Sequence, residues 1–313
     1  MVSQRRARHH RERLSSRLSR AAILAFLALF CVTILFPFYY VLVISFNEGT
    51  DTLRGGVVLW PRAFTLDNYT EALQHPTLLN SIWITVSRTA IVTSASLFLM
   101  SLLAYGLTFP NLPGRKALVF YFYFTTLFGG GLIPTYILYR QLKILNTYWV
   151  LILPGLYSVW NMLIMRSFFG TIPAEMAESA RIDGAREVRI LFQLVLPVSL
   201  PVMVTVGLYV GVGAWNDWFS GQYFIMMKPH LTPAATLLNQ LLTQTNITTT
   251  AVTTETGSAM AGRSSDFFHQ ASKVTTESLR MAFVILIMVP IMCVYPFLQK
   301  HFVKGAMVGS LKG

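Results

Sequence analysis

Arg88 is the one charge set well inside a long apolar run of this chain. It stands about seven residues beyond the start of that run, which places it ~10 Å deep at a helical rise of ~1.5 Å per residue. A guanidinium at that depth needs a cavity, a partner group or an anionic ligand to offset its insertion, so it is a candidate for drawing a carboxylate inward. The plainer alternative is that its stem snorkels to the headgroups. Gly129, Gly130, Gly131 and Pro134 break a second apolar run. The backbone groups they free must face protein or water, along a hydrated path or at the start of a simple loop. Trp215, Asn216, Asp217 and Trp218 close a third run, where aromatic rings can meet a ligand or lie in the interfacial belt. The sequence has no G-x-x-x-x-G-K-[ST] loop, H-E-x-x-H, C-x-x-C or G-x-S-x-G, so none of these catalytic or phosphate-binding constellations is expected in this chain.

The elements that position these residues follow from composition. The chain is 54% hydrophobic and 12% charged over 313 residues, against the ~25% charged of soluble domains. It is expected to be an all-α, multi-pass membrane protein. Runs at about 21–46, 81–108, 117–138, 149–169, 194–219 and 279–297 are long enough to cross a bilayer. Asp217 is the one carboxylate in them, which argues against a proton-coupled carrier.

A net charge of +12 arises partly from Arg5, Arg6, Arg8, Arg11, Arg13, Arg17 and Arg20. Nucleic acid is not the expected partner, because basic residues gather on the cytoplasmic side of membrane proteins. Arg115, Lys116, Arg181, Arg186, Arg189, Lys300, Lys304 and Lys312 fall on that side when six spans are counted from a cytoplasmic N-terminus. The 47–80 loop, with two basic and four acidic residues, falls outside. Both termini are therefore expected to be cytoplasmic, although Arg140 and Lys143 sit in a short external loop against the rule. The first run is too long for a secretory h-region and is expected to be retained. Cys31 and Cys293 lie in spans and are expected to pack rather than pair. A basic segment at 1–20 and one transmembrane domain at 21–313 make up the organisation. The external loop at about 220–278 has a Thr/Ser-rich middle with the composition of a mobile segment.

Between the fourth and fifth runs, Pro173 suits a helix start and Gly184 the left-handed residue past a helix end. They predict a helix over about 173–184. Ala177, Ala180 and Gly184 form a small-residue face suited to close approach of another surface, and Glu178 can pair with Arg181. Glu178-Ser179-Ala180, Gly184, Leu194, Leu196 and Pro197 resemble the E-A-A, three residues, Gly, nine residues, Ile-x-Leu-Pro signature of permeases in binding-protein-dependent ABC importers. Ser179 replaces the second Ala and Leu194 the Ile. In that family the segment is the cytoplasmic coupling helix, which docks on the ATP-hydrolysing subunit.

The resemblance extends through residues 129–136, 145–149, 151–155 and Trp160-Asn161, which are similar to the maltose-type carbohydrate importers. The tail from Tyr295 to Gly305 is similar to the branch for oligosaccharides or polysaccharide fragments. It implies a type I importer permease in the bacterial inner membrane, with a second homologous permease, two ATPase subunits, an external solute-binding protein and an oligosaccharide, neutral or uronic. This chain would hold no cofactor, ATP-Mg belonging to the ATPase, and would not itself be an enzyme. Glu178, Ser179, Ala180, Gly184, Leu196 and Pro197 would couple to the ATPase. Arg88, Gly129, Gly130, Gly131, Pro134, Asn161, Trp215 and Asn216 would line the path or gate, with Arg88 able to attract a carboxylated sugar. A structural or sensory subunit, or an ion-coupled carrier, is the alternative.

Overall fold

The computed structural model describes residues 2–251 and 274–310. Among them the chain is helical, with one isolated antiparallel bridge between Asn47 and Phe64. Two compact units divide it, Met1–Ala72 with Ser258–Ile285 and Leu73–Gly257 with Leu286–Gly313. The first contains α1 (Val2–Ser45), α2 (Gly49–Leu53), most of α3 (Asp67–Gln74) and the start of the C-terminal helix (Thr276–Ser310). Residues 19–39 of α1 are all exposed, as an apolar helix meeting lipid would be. Where α1 ends, its carbonyls lose their helical partners. The buried Asn68 amide donates to Ser45 O (3.0 Å) and Asn47 O (2.8 Å), and its own oxygen accepts from Ser278 Oγ (2.9 Å).

The second unit is built on α4 (Leu78–Gly106). Ser81, Thr85, Arg88, Val92, Ser96, Met100 and Ala104 make its buried stripe, three or four residues apart. Small and polar residues suit that stripe, because helices in lipid associate by close packing and hydrogen bonds rather than by escape from water. After α4 come α5 (Arg115–Leu127), α6 (Leu132–Gln141), α7 (Trp149–Ile152), α8 (Val159–Phe169) and α9 (Ala174–Ile182). Then follow α10 (Glu187–Ile190), α11 (Leu196–Val198), α12 (Leu200–Asn216), α13 (Phe219–Phe224) and α14 (Ala234–Ala251). Gly207 and Gly211 bring α12 against α4: a Cβ on Gly207 would stand 3.2 Å from Leu97 Cδ1, and one on Gly211 3.3 Å from Thr93 Oγ1. The core continues below through Met100, Ala104, Met162, Met165, Ile190, Leu191 and Val206.

Three of the six expected spans are unbroken helices: Ser19–Ser45, Leu78–Gly106 and Thr276–Val294. The other three are corrected to bent pairs. Arg115–Leu127 and Leu132–Gln141 meet at 116°, Trp149–Leu156 and Val159–Phe169 at 42°, Glu187–Val198 and Leu200–Asn216 at 83°. Each break has a local cause. Gly131 takes φ +80°, Tyr157 and Ser158 are extended, and Pro197 and Pro201 flank the bend at Ser199. Pro197 cannot donate to Gln193 O four residues back, and a π-turn over Leu191–Val195 lies just before it. Cys31 and Cys293 are unpaired and exposed, so the expected packing role is not seen. The expected external loop is helical through α13, the turn Pro229–Leu231 and α14; residues 252–273 lie outside the described residues.

Candidate functional site

The segment around Glu178 forms α9, one residue later at its start than Pro173, which is its N-cap. Its end is a Schellman turn: Gly184 N donates to Arg181 O and Ala185 N to Ala180 O, both at 2.9 Å, with Gly184 at φ +79°. Ala177, Ala180 and Ala185 are half-buried and pack on the chain's own core, as does Leu196. The small-residue face is thus divided, a correction to its expected outward use: Ala177 and Ala180 anchor α9 to its own bundle, while Gly184 stays exposed with open space beside it. The opposite face is open. Glu175, Met176, Glu178, Ser179, Ile182 and Asp183 are exposed, Ile182 at 87%, and Pro197 is exposed at the bend before α12.

Arg181 also departs from expectation. Its Nε donates to Glu187 Oε1 at 2.7 Å, not to Glu178, and Tyr105 Oη donates to Glu187 Oε2 at 2.6 Å. The Phe109 ring centre lies 5.9 Å from the guanidinium carbon, within cation–π range. The Glu187 carboxylate, more than any other group, raises the Arg181 pKa above its ordinary value. A strut of Arg181, Glu187 and Tyr105 therefore ties α9 and α10 to the end of α4. Glu187 and Tyr105 were missed in the sequence because they are 82 residues apart.

Arg88 neither snorkels nor points freely into space. It is 4% exposed, its Nε donates to Leu151 O at 2.8 Å, and its Nη2 forms an ion pair with Asp217. The other Asp217 oxygen accepts from Ser220 N at 3.0 Å, which fixes the turn from α12 into α13. Its charge is thus compensated by a group of the same chain, a partner that the run-by-run reading could not supply.

Gly129, Gly130, Gly131 and Pro134 are all exposed at the 116° bend, and a Cβ on Gly129 or Gly131 would meet nothing within 4 Å. Asn161 is half-buried in the first turn of α8, its N–H directed at Ser158 Oγ. Trp215 is 8% exposed. Its ring packs inside the chain, which corrects its place in a belt or a stacking surface. Asn216 and Trp218 are exposed beside it. These residues do not converge with α9: they belong to different ends of the bent elements. Asn146 serves another purpose, its Oδ1 accepting from Met226 N (2.8 Å) and Met227 N (2.9 Å) to hold the strand of chain after α13.

Residues 7–308 match the family described as "Binding-protein-dependent transport system inner membrane component". The chain belongs to this family. It is a multi-pass permease of the cytoplasmic membrane and a transport component of a binding-protein-dependent system. The permease is 35% identical over 96% of its length to the full length of the polygalacturonan/rhamnogalacturonan transport system permease protein YtcP of Bacillus subtilis (strain 168). It is 35% identical to protein LplC of the same organism, over 90% of each chain. Among solved structures, a bacterial ABC transporter involved in the import of the acidic polysaccharide alginate has a chain that superposes with a TM-score of 0.79. That match covers 92% of the permease and 98% of the solved chain at 24% identity. The permease thus has the type I ABC importer fold.

Proposed function

We propose that this permease is one of two homologous membrane subunits of an ABC importer for oligosaccharides, with acidic polysaccharide fragments as the cargo class. It works with two ATPase subunits, which carry ATP and Mg²⁺, and an external solute-binding protein. Six spans, three of them bent, leave both termini in the cytoplasm on this reading. The outward face of α9 carries it. The exposed Ile182 and Met176, interleaved with Glu175, Glu178 and Asp183, make a mixed apolar and acidic patch that suits a protein cover. Docking of that patch in the ATPase lets closure of the nucleotide-binding dimer pull α9. The Arg181–Glu187–Tyr105 strut and the α9 core contact pass the pull to α4. Gly129, Gly130, Gly131, Pro134, Asn161 and Asn216 are accessible enough to border the path. Arg88 positions the elbow between α12 and α13.

The acidic cargo class is supported by the polygalacturonan/rhamnogalacturonan permease and the alginate importer among the similar proteins. Affinity purification of the tagged chain from its native membrane should bring down an ATPase and a second permease. ATPase activity of that complex should rise with binding protein loaded with oligogalacturonides and less with neutral oligosaccharides of equal length. A chain that purifies without an ATPase would be a structural or sensory subunit instead.

A further inference from the structure

Two cavities beside α5 and α8 share Arg115, Leu163 and Arg166. The larger, about 520 Å³, runs along Val119, Phe120 and Tyr123 on the span side of the two guanidiniums and also takes in Lys116. The smaller, about 380 Å³, lies on the loop side, where Thr108, Ser167 and Thr171 supply hydroxyls. Arg166 and Lys116 make no side-chain hydrogen bond or ion pair among the described residues, and Arg115 gives only its Nε, to Leu107 O at 2.9 Å. No carboxylate lines either cavity. Gly114, the N-cap of α5, has no side chain to cap the first turn of that helix, which adds to the positive field.

We infer that this double cavity holds one anionic phospholipid. Its phosphate sits between Arg115 and Arg166, one acyl chain follows the apolar groove along α5, and the headgroup meets the hydroxyls on the loop side. Three cations without an acid repel one another, and an anion between them removes that repulsion. A basic pocket between membrane helices whose wall turns apolar towards the bilayer interior matches a lipid from end to end. A sugar would match only its polar half, because Val119, Phe120 and Leu163 offer no hydrogen bonds to hydroxyls. The leaflet depends on the proposed topology; the lipid does not.

The test uses the complete complex, purified through this chain and placed in phosphatidylcholine nanodiscs. These contain a trace of phosphatidylglycerol or phosphatidylcholine bearing a photoactivatable acyl chain. The anionic probe should label peptides of α5 and α8 at least tenfold more than the zwitterionic one. Arg166→Gln should lower that labelling at least fivefold, and Arg166→Lys should keep most of it. Lys116→Gln alters an exposed side chain and should cause a smaller loss, which decides the matter if Arg166→Gln fails to assemble. Equal labelling by both probes, or labelling unmoved in the assembled variants, would overturn the proposal. So would displacement by a soluble uronic oligosaccharide, or a cross-link from the groove to the second permease.

Discussion

Gly184 sits at φ +79° with open space where a β-carbon would stand, so backbone strain alone limits what can replace it. A valine would have to adopt the left-handed region at a cost of roughly 1–2 kcal/mol. The Schellman turn would then open, and α9 would lose its end. Gly184→Val should uncouple ATP hydrolysis from uptake while the protein still reaches the membrane; Gly184→Asn, which tolerates this φ, should keep most coupling. Normal solute-stimulated ATPase and uptake in the valine variant would remove Gly184 from the coupling machinery. Arg88 carries a different kind of consequence. Replacing it by Gln strands the Asp217 carboxylate in a poorly solvated elbow, at a cost of about 3 kcal/mol, the low end for a broken buried pair because Asp217 keeps 24% exposure. Arg88→Gln and Asp217→Asn should each lower the melting temperature in detergent. The double variant should be less damaged than the sum of the two, and strict additivity in this cycle would show that the pair is not energetically coupled.

Helix α9 has two faces with different duties, and substitutions can tell them apart. Ala180→Leu adds volume against a packed core and should cost ~1–3 kcal/mol of stability. Ile182→Glu touches nothing within the chain, so it should leave stability unchanged and release the ATPase from the purified complex. Loss of ATPase from the Ala180 variant alone, with the Ile182 variant fully assembled, would place docking elsewhere. The glycine pair of α12 makes the same point about close approach: the α4–α12 contact depends on missing side chains at Gly207 and Gly211.

For the whole molecule the open quantity is sidedness. Thr70 is exposed on α3, within the acidic segment 47–80, and Ser179 is exposed on α9. In a cysteine-free background, Thr70→Cys should react with an impermeant thiol reagent added to intact spheroplasts. Ser179→Cys should react only after the membrane is opened. The reverse pattern would invert the topology, and with it the docking of an ATPase on α9.

Much of this protein is readable without coordinates. Apolar runs of membrane length give the spans, because the bilayer fixes how many residues a crossing needs. The spacing from Glu178 to Pro197 gives α9 and its glycine turn, since helix ends obey local backbone rules. Local rules also mark Gly129, Gly130, Gly131 and Pro134 as a break, but not the bends at Ser158 and Ser199, nor the angles of 116° and 83°, which depend on what each half packs against. Tertiary structure alone decided that Ala177 and Ala180 face inward, that Arg181 bonds Glu187, and that Trp215 is buried. It also brought Asp217 to Arg88 across 129 residues of sequence. Periodicity tells which residues share a face, whereas the partner of that face is chosen by elements that meet only when the bundle closes.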